Sequence, residues 1–333
     1  MKILITGSLG LVGSEAVRYY LNNACEVIGV DNDMRKHFFG SEASVIKNRV
    51  DHGNLRFHGV DISKIEPIIA AEKPDAIIHT AAQPSHDYSA KEPLLDFGVN
   101  AYSTLMLLEM VRKHCPESVF VYTSTNKVYG DMPNYLPLVE TSDRYECEAL
   151  PNGISEEMSI DNSMHSPFGV SKLAGDLYVQ EYARYFGLKT GVFRCGCITG
   201  SAHAGAELHG FLAYMALCKK IGRVYTVYGY DGKQVRDQIH AHDVVRAIDF
   251  FIRSPKPGAV YNLGGGRHAN VSVLEALNWF KIRDWEYVSE ARRGDHKWYI
   301  SDVSKFRNDY PEWDYKYNLW GIFDDLMGGR NTA

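Results

Sequence analysis

The chain has 333 residues, 45% hydrophobic and 23% charged, the profile of an ordinary globular protein of about two folding units, which excludes a disordered or collagen-like chain. Its 36 Lys and Arg against 41 Asp and Glu leave a formal charge of -5. Neither nucleic acid nor an anionic membrane has an electrostatic claim on it, and a small-molecule partner is favoured. The apolar stretches fall short of the roughly 18 residues of a membrane span, and the N-terminus lacks a signal-peptide core. Six sparse cysteines form neither a disulfide framework nor a metal-ligand pattern, so a cytoplasmic chain without a metal site is expected.

Along the first half, short β-branched or aliphatic runs alternate with longer amphipathic segments. That alternation predicts an α/β fold, a doubly wound parallel sheet with crossover helices. Strands are predicted at 2–6, 26–30, 55–59, 76–80, 118–123 and 190–194, nearly continuous in apolar character as strands buried on both faces should be. Helices are predicted at 12–22, 101–114 and 169–186. From Cys195 the pattern becomes irregular, with a helix at 211–220, strands near 223–228 and 259–262 and an aromatic tail. A first domain over 1–194 and a smaller mixed domain over 195–333 are expected, with some segments of the second returning to the first.

The first strand runs into Thr6-Gly7-Ser8-Leu9-Gly10-Leu11-Val12-Gly13, which opens the first helix. Glycines there let the backbone turn and approach a pyrophosphate, and the helix start offers free N–H groups and a positive dipole end. Asp31 ends the second strand, where a carboxylate can accept both ribose hydroxyls and repel a 2'-phosphate, which favours NAD over NADP; as a bland alternative Asp31 caps a turn, and Arg35 or Lys36 nearby could meet a phosphate. Asp61 and the Thr80-Ala81-Ala82-Gln83 segment fall at further strand ends, where open α/β sheets bind ligands.

The fifth strand leads into Thr123-Ser124-Thr125-Asn126-Lys127-Val128-Tyr129-Gly130, and Phe168-Gly169-Val170-Ser171-Lys172 begins the third helix with Phe168 and Lys172 one turn apart on one face. With these segments, the glycine turn, Asp31, Asp61 with Ile62, Ala81 with Ala82, and Asn100, the chain resembles the extended short-chain dehydrogenase/reductase superfamily of nucleotide-sugar epimerases and dehydratases over roughly residues 1–310. Gln234-Val235-Arg236-Asp237, Asn262-Leu263-Gly264-Gly265 and Arg293-Gly294-Asp295 resemble its substrate-domain motifs. Segments 124–131 and 232–237 are most similar to members that epimerise C2 of a CDP-hexose.

The resemblance implies NAD as cofactor, held by Gly7, Gly10, Leu11, Val12, Gly13, Asp31, Asn32, Asp61, Ile62, Ala81, Ala82, Gln83, Asn100, Thr123, Lys172 and Cys195. It implies a nucleotide-diphosphate sugar as substrate, met by His86, Thr125, Asn126, Lys127, His209, Arg236 and Arg293. It also implies a homodimer built on the helices at 101–114 and 169–186. Thr125 would bond the reacting oxygen, and Lys172 would bind the nicotinamide ribose.

In that superfamily a tyrosine takes the sugar hydroxyl proton, and Phe168 stands in its place here. A phenyl ring cannot accept a proton, and loss of such a base typically costs about 10² to 10⁴ in rate. The departure leaves open a disabled, substrate-trapping chain, a silent binding protein, or a natural enzyme with another proton carrier. Lys127 is the first candidate for that carrier, with Cys195, Cys197, His86 and His165 behind it. Dehydratases usually carry an acid pair where this chain has Asn126 and Lys127, so redox epimerisation is expected over elimination of water.

Overall fold

The computed structural model describes residues 1–203, 207 and 210–329. Seven parallel strands form the main sheet: β1 (Lys2–Thr6), β2 (Glu26–Val30), β3 (Leu55–His58), β4 (Ala76–His79), β5 (Val119–Thr125), β6 (Lys189–Cys195) and β7 (Ala259–Leu263), in the order β7-β6-β5-β4-β1-β2-β3. The strands expected from the sequence are all present, with ends moved by at most two residues. The pleat sends alternate side chains to opposite faces. Ile3, Ile5, Ile78, Val121 and Phe193 enter one core, while Leu4, Ile77, Phe120, Tyr122 and Val192 enter the other.

Helices α1 (Leu11–Asn22), α2 (Ser103–His114), α3 (Pro167–Phe186) and α4 (Ala241–Arg253) cover the sheet. On one face, Val12 and Ala16 of α1 share a core with Val244, Val245 and Ile248 of α4. On the other, Leu107, Leu108 and Val111 of α2 meet Val179 and Tyr182 of α3. The stretch Pro93–His114 is long and apolar enough to cross a membrane by length and composition alone, but this inner face is packed on the sheet.

Both α4 and β7 belong to this first assembly, so the chain leaves it after β6 and comes back. Other segments after β6 build a smaller mixed unit. Its strand Val235–His240 pairs in parallel with Cys197–Thr199 and Trp298–Tyr299 and antiparallel with Asn270–Ser272. Helices Phe211–Ile221, Val273–Trp279 and Leu319–Met327 share a separate apolar core there.

Two features set the position of the site. β1 is followed to one side by β2 and to the other by β4, which opens the crevice at strand C-termini where such sheets bind ligands. Helix α3 is fixed from below by Asp176, whose carboxylate accepts from Ser124 Oγ at 2.7 Å, Gln180 Nε2 at 2.6 Å, and the Arg194 fork at 3.0 and 3.1 Å. Arg194 also donates to Tyr129 Oη, and that hydroxyl donates to Asn262 Oδ1 at 2.7 Å. All these groups are buried, so breaking the ion pair from one side would leave an unpaired charge at a cost of about 3 to 5 kcal/mol.

Candidate active site

One cavity of about 700 Å³ runs from the β1–β2 end of the crevice to the mixed unit. At its first end the glycine turn crosses between β1 and α1. Gly7 has φ +70, and a Cβ there would lie 2.7 Å from the Ala81 backbone nitrogen; one on Gly13 would lie 2.0 Å from Gly7 O. Gly10 caps α1 without a side-chain bond, so the first N–H groups of a 12-residue helix are left to an anion. Gly7, Gly10, Leu11 and Val12 line the cavity, whereas Gly13 lies behind the lining and serves the close packing of helix against turn.

Asp31 lines the same end, its Oδ2 accepting from Leu9 N at 2.9 Å and Oδ1 from Asp33 N at 2.7 Å. It therefore braces the glycine turn; burial pushes its carboxyl above the ordinary range. Asn32, Asp61 and Ile62 line the adjoining wall, with Asn32 Nδ2 donating to Asp61 at 3.0 Å. Ala81, Ala82, Thr123 and Cys195 form the floor. A close-approach glycine cradle, an uncapped helix start and a carboxylate at the second strand end together fit a dinucleotide.

Gln83 and Asn100, expected at the cofactor, do not line the cavity. Gln83 N donates to Asn100 Oδ1 at 2.9 Å and Asn100 Nδ2 to Gln83 O at 3.0 Å, with further bonds to Asp96 and Ser171. They tie the β4 loop to α3 beneath the floor, a role only their partners could reveal.

At the chemical end Thr125, Asn126, Lys127, Phe168 and Lys172 come together on the lining. Lys172 Nζ donates to Thr123 O at 2.8 Å and lies 4.1 Å from the Tyr122 ring centroid. Burial pushes the amine down to about 8. Thr125 Oγ1 accepts from Lys127 N at 3.2 Å, which fixes the turn after β5. Lys127 Nζ donates to Gly294 O at 2.8 Å, and burial brings it to about 8 even with Asp295 beside it. Phe168 is buried, its ring centroid 4.9 Å from that of His86, which also lines the cavity.

The other expected proton carriers are less well placed. His165 is turned from the cavity, its ring nitrogens on Val128 O at 2.8 Å and Ser163 O at 3.1 Å. Cys195 and Cys197 reach the lining, but burial raises their thiols to about 12 and about 11, so both stay protonated at neutral pH.

Toward the mixed unit, Arg236 and Arg293 both line the cavity. Arg236 is buried and ion-paired with Asp295, which sequence reasoning had placed only as a neighbour of Arg293; Asp237 turns instead to the Gly266 and Ser301 backbone nitrogens. Against the upward pull of burial, Arg236, Lys127 and Arg292 hold the Asp295 carboxyl well below the usual carboxylate range. His209 lies outside the described residues.

Comparison with known proteins agrees with this geometry. Residues 3–264 match the family model described as the NAD dependent epimerase/dehydratase family. The chain is 32% identical over 327 residues to the CDP-paratose 2-epimerase of Salmonella typhi, covering 92% of this chain and 93% of that protein. It is 29% identical over 332 residues to a dTDP-glucose 4,6-dehydratase of Escherichia coli, covering 96% and 86%. Among solved structures it is similar to the UDP-glucose 4-epimerase of Thermotoga maritima with UDP-glucose, at a TM-score of 0.80 and 26% identity over 98% of each chain. The Thermus thermophilus UDP-glucose 4-epimerase in complex with NAD gives a TM-score of 0.77 and 26% identity over 100% of each. A parallel sheet with a glycine cradle at its switch point, an Asp at the second strand end and the Phe168-to-Lys172 helix start thus agree with the family match: the chain belongs to the NAD dependent epimerase/dehydratase family.

Proposed function

We propose that the chain is an epimerase of nucleotide-diphosphate sugars that uses NAD, acting on C2 of a CDP-hexose. NAD supplies an acceptor, and then a donor, for the carbinol hydride. The cradle of Gly7 and Gly10 with the start of α1 would hold its pyrophosphate, Asp31 the adenosine ribose, and Lys172 the nicotinamide ribose. Thr125 would bond the reacting oxygen, and Asn126 and Lys127 would hold the sugar. Arg236 and Arg293 would take the diphosphate, with Asp295 yielding Arg236 as the anion arrives.

The observation that carries epimerisation over dehydration is the absence of a proton-donating carboxyl at the chemical end among the described residues. Asn126 and Lys127 occupy the acid positions, and Asp295, the carboxylate nearest to them on the lining, is kept ionised by Arg236. Elimination of water needs a protonated acid at the leaving hydroxyl. The CDP assignment is supported by the likeness to the Salmonella typhi protein.

A second copy of the chain is proposed as partner. Val170, Leu177, Tyr178 and Tyr185 form an exposed apolar stripe along α3, with Phe97 and Tyr102 exposed on the helical stretch before α2, and two such faces pair naturally across a two-fold axis.

The test loads the chain with NAD and offers CDP-, UDP- and dTDP-sugars. Inverted stereochemistry by NMR, unchanged product mass and no accumulating NADH are expected for CDP-hexoses. A product lighter by one water would overturn epimerisation, and binding without turnover would favour a silent binder, the reading that Phe168 keeps in view.

A further inference from the structure

The chemical end of the cavity lacks the phenol of the usual base, and the amine first expected to replace it already donates from Lys127 Nζ to Gly294 O at 2.8 Å, with Asp295 beside it favouring the protonated, donor form over the base. His86 differs. It opens the short helix His86–Lys91, and both of its ring nitrogens are buried with no hydrogen-bond partner. A buried polar atom without a partner costs about 1 to 3 kcal/mol, so two on one ring that lines a cavity mark a place where a ligand atom completes the bonding.

Its position is built rather than incidental. Ser89 Oγ donates to His86 O at 2.6 Å and accepts from Phe168 N at 3.2 Å, so one hydroxyl fixes the backbone of both residues. The rings lie 4.9 Å apart between centroids at 53°. Asp87 pairs with Arg292 at 3.2 Å, drawing the segment around Gly294 over the imidazole. Gly294 has φ +73, and a Cβ there would lie 3.6 Å from Nδ1, so what faces that ring edge is backbone without a hydrogen-bonding group in reach.

We propose that His86 is the proton carrier of this site, doing beside Phe168 what a tyrosine hydroxyl at position 168 would do. The inference rests on the nucleotide-sugar reading given above. An imidazole nitrogen takes the proton of the sugar hydroxyl as the O–H bond breaks and the carbinol C–H pair leaves as hydride to the oxidised nicotinamide, so that the carbon becomes a carbonyl. Returning hydride to the other face of the carbonyl carbon and the proton to its oxygen restores His86 and the cofactor and inverts one centre. Burial, then the charges of Lys127 and Arg292, push the imidazole down to about 3. The free chain therefore holds it neutral with a lone pair available, and a bound diphosphate would offset those two cationic neighbours.

The experiment compares the NAD-loaded wild-type chain with His86→Gln, Phe168→Tyr and the double variant, using CDP-hexoses. NAD binding and circular dichroism check that each is folded, and His86→Asn replaces His86→Gln should the latter not fold. We expect His86→Gln to lower kcat by about 10² to 10⁴ with KM changed less than about threefold, and Phe168→Tyr on that background to recover at least about tenfold. A purely structural His86 would not be rescued by a hydroxyl at position 168. The readout independent of turnover is the nitrogen-15 resonances of His86, which should move when CDP-glucose is added to the NAD-loaded wild-type chain. A kcat for His86→Gln within about threefold of wild type, or resonances that stay still while turnover proceeds, overturns the inference. A wild-type chain that is inactive until Phe168→Tyr is made also overturns it while sustaining the substrate reading. If neither the wild-type chain nor Phe168→Tyr turns over any nucleotide sugar, the substrate reading falls and the assignment of His86 falls with it, an outcome told apart from the others by the loss of turnover in both chains.

Discussion

Lys172 should destabilise the fold that carries it. Only 4% of the residue is exposed, and burial brings its amine from an ordinary 10.5 to about 8. At about 1.4 kcal/mol per pH unit, that descent corresponds to about 3 kcal/mol lost to holding the charge inside. Lys172→Met keeps the length and volume of the side chain while removing the charge. It also loses the bond to Thr123 O and the contact over Tyr122, worth about 1 kcal/mol together, which leaves a net gain of about 2 kcal/mol at pH 7. Below pH 8 the amine is charged in folded and unfolded chains alike, and the whole cost is carried. Between pH 8 and 10.5 the unfolded chain binds the proton that the folded one has released, so wild-type stability rises with pH and the advantage of the variant shrinks. Urea unfolding of both chains without cofactor, at pH 7, 8.5 and 10, measures the gap directly. Equal or lower stability of Lys172→Met at pH 7, or a gap that stays constant across the window, would refute the reasoning.

Gly13→Ala places a Cβ 2.0 Å from Gly7 O, so NAD binding followed by protein fluorescence should fall by more than tenfold and the melting temperature should drop with it. Asp31→Ala removes both the brace on Leu9 N and the proposed ribose acceptor; NAD affinity should fall about tenfold or more while NADP affinity falls less, as competition titrations would show. Asp295→Asn releases Arg236 from its ion pair, and calorimetry should find CDP bound more tightly by a chain that melts at a lower temperature. Leu177→Glu puts a charge into the exposed stripe of α3 and should turn the proposed dimer into a monomer by light scattering, whereas a dimeric mass that stays unchanged would remove this face from the interface.

What the sequence disclosed and what it withheld divide along physical lines. Strands buried on both faces are written as unbroken aliphatic runs, and the turn after β1 can be made only with glycine where Gly7 meets Ala81, so both were legible. Phe168 and Lys172 were legible as neighbours because helical spacing is local. Gln83, at a strand end, and Asn100, by the resemblance, looked like ligand residues, yet the Asn100 amide bonds the Gln83 backbone and the Gln83 amide bonds Ser85 O and Asp96, and no one-dimensional pattern distinguishes those outcomes. The Arg236 and Asp295 pair, the Asp176 anchor and the isolation of the His86 nitrogens each depend on segments 18 to 208 positions apart. Their pairing is written in the topology rather than in any window of sequence.

The Asp176 anchor bears on how position 168 can evolve. Because α3 is held two turns further along, by a carboxylate gripped from β5 and β6, the side chain at 168 contributes chemistry without carrying the helix. On the proposed proton route, exchanging phenylalanine and tyrosine there would change which group takes the proton while leaving the lysine one turn away in register. If His86 carries the proton, a lineage could cross between hydroxyl-based and imidazole-based catalysis through single substitutions at a helix whose anchor lies elsewhere.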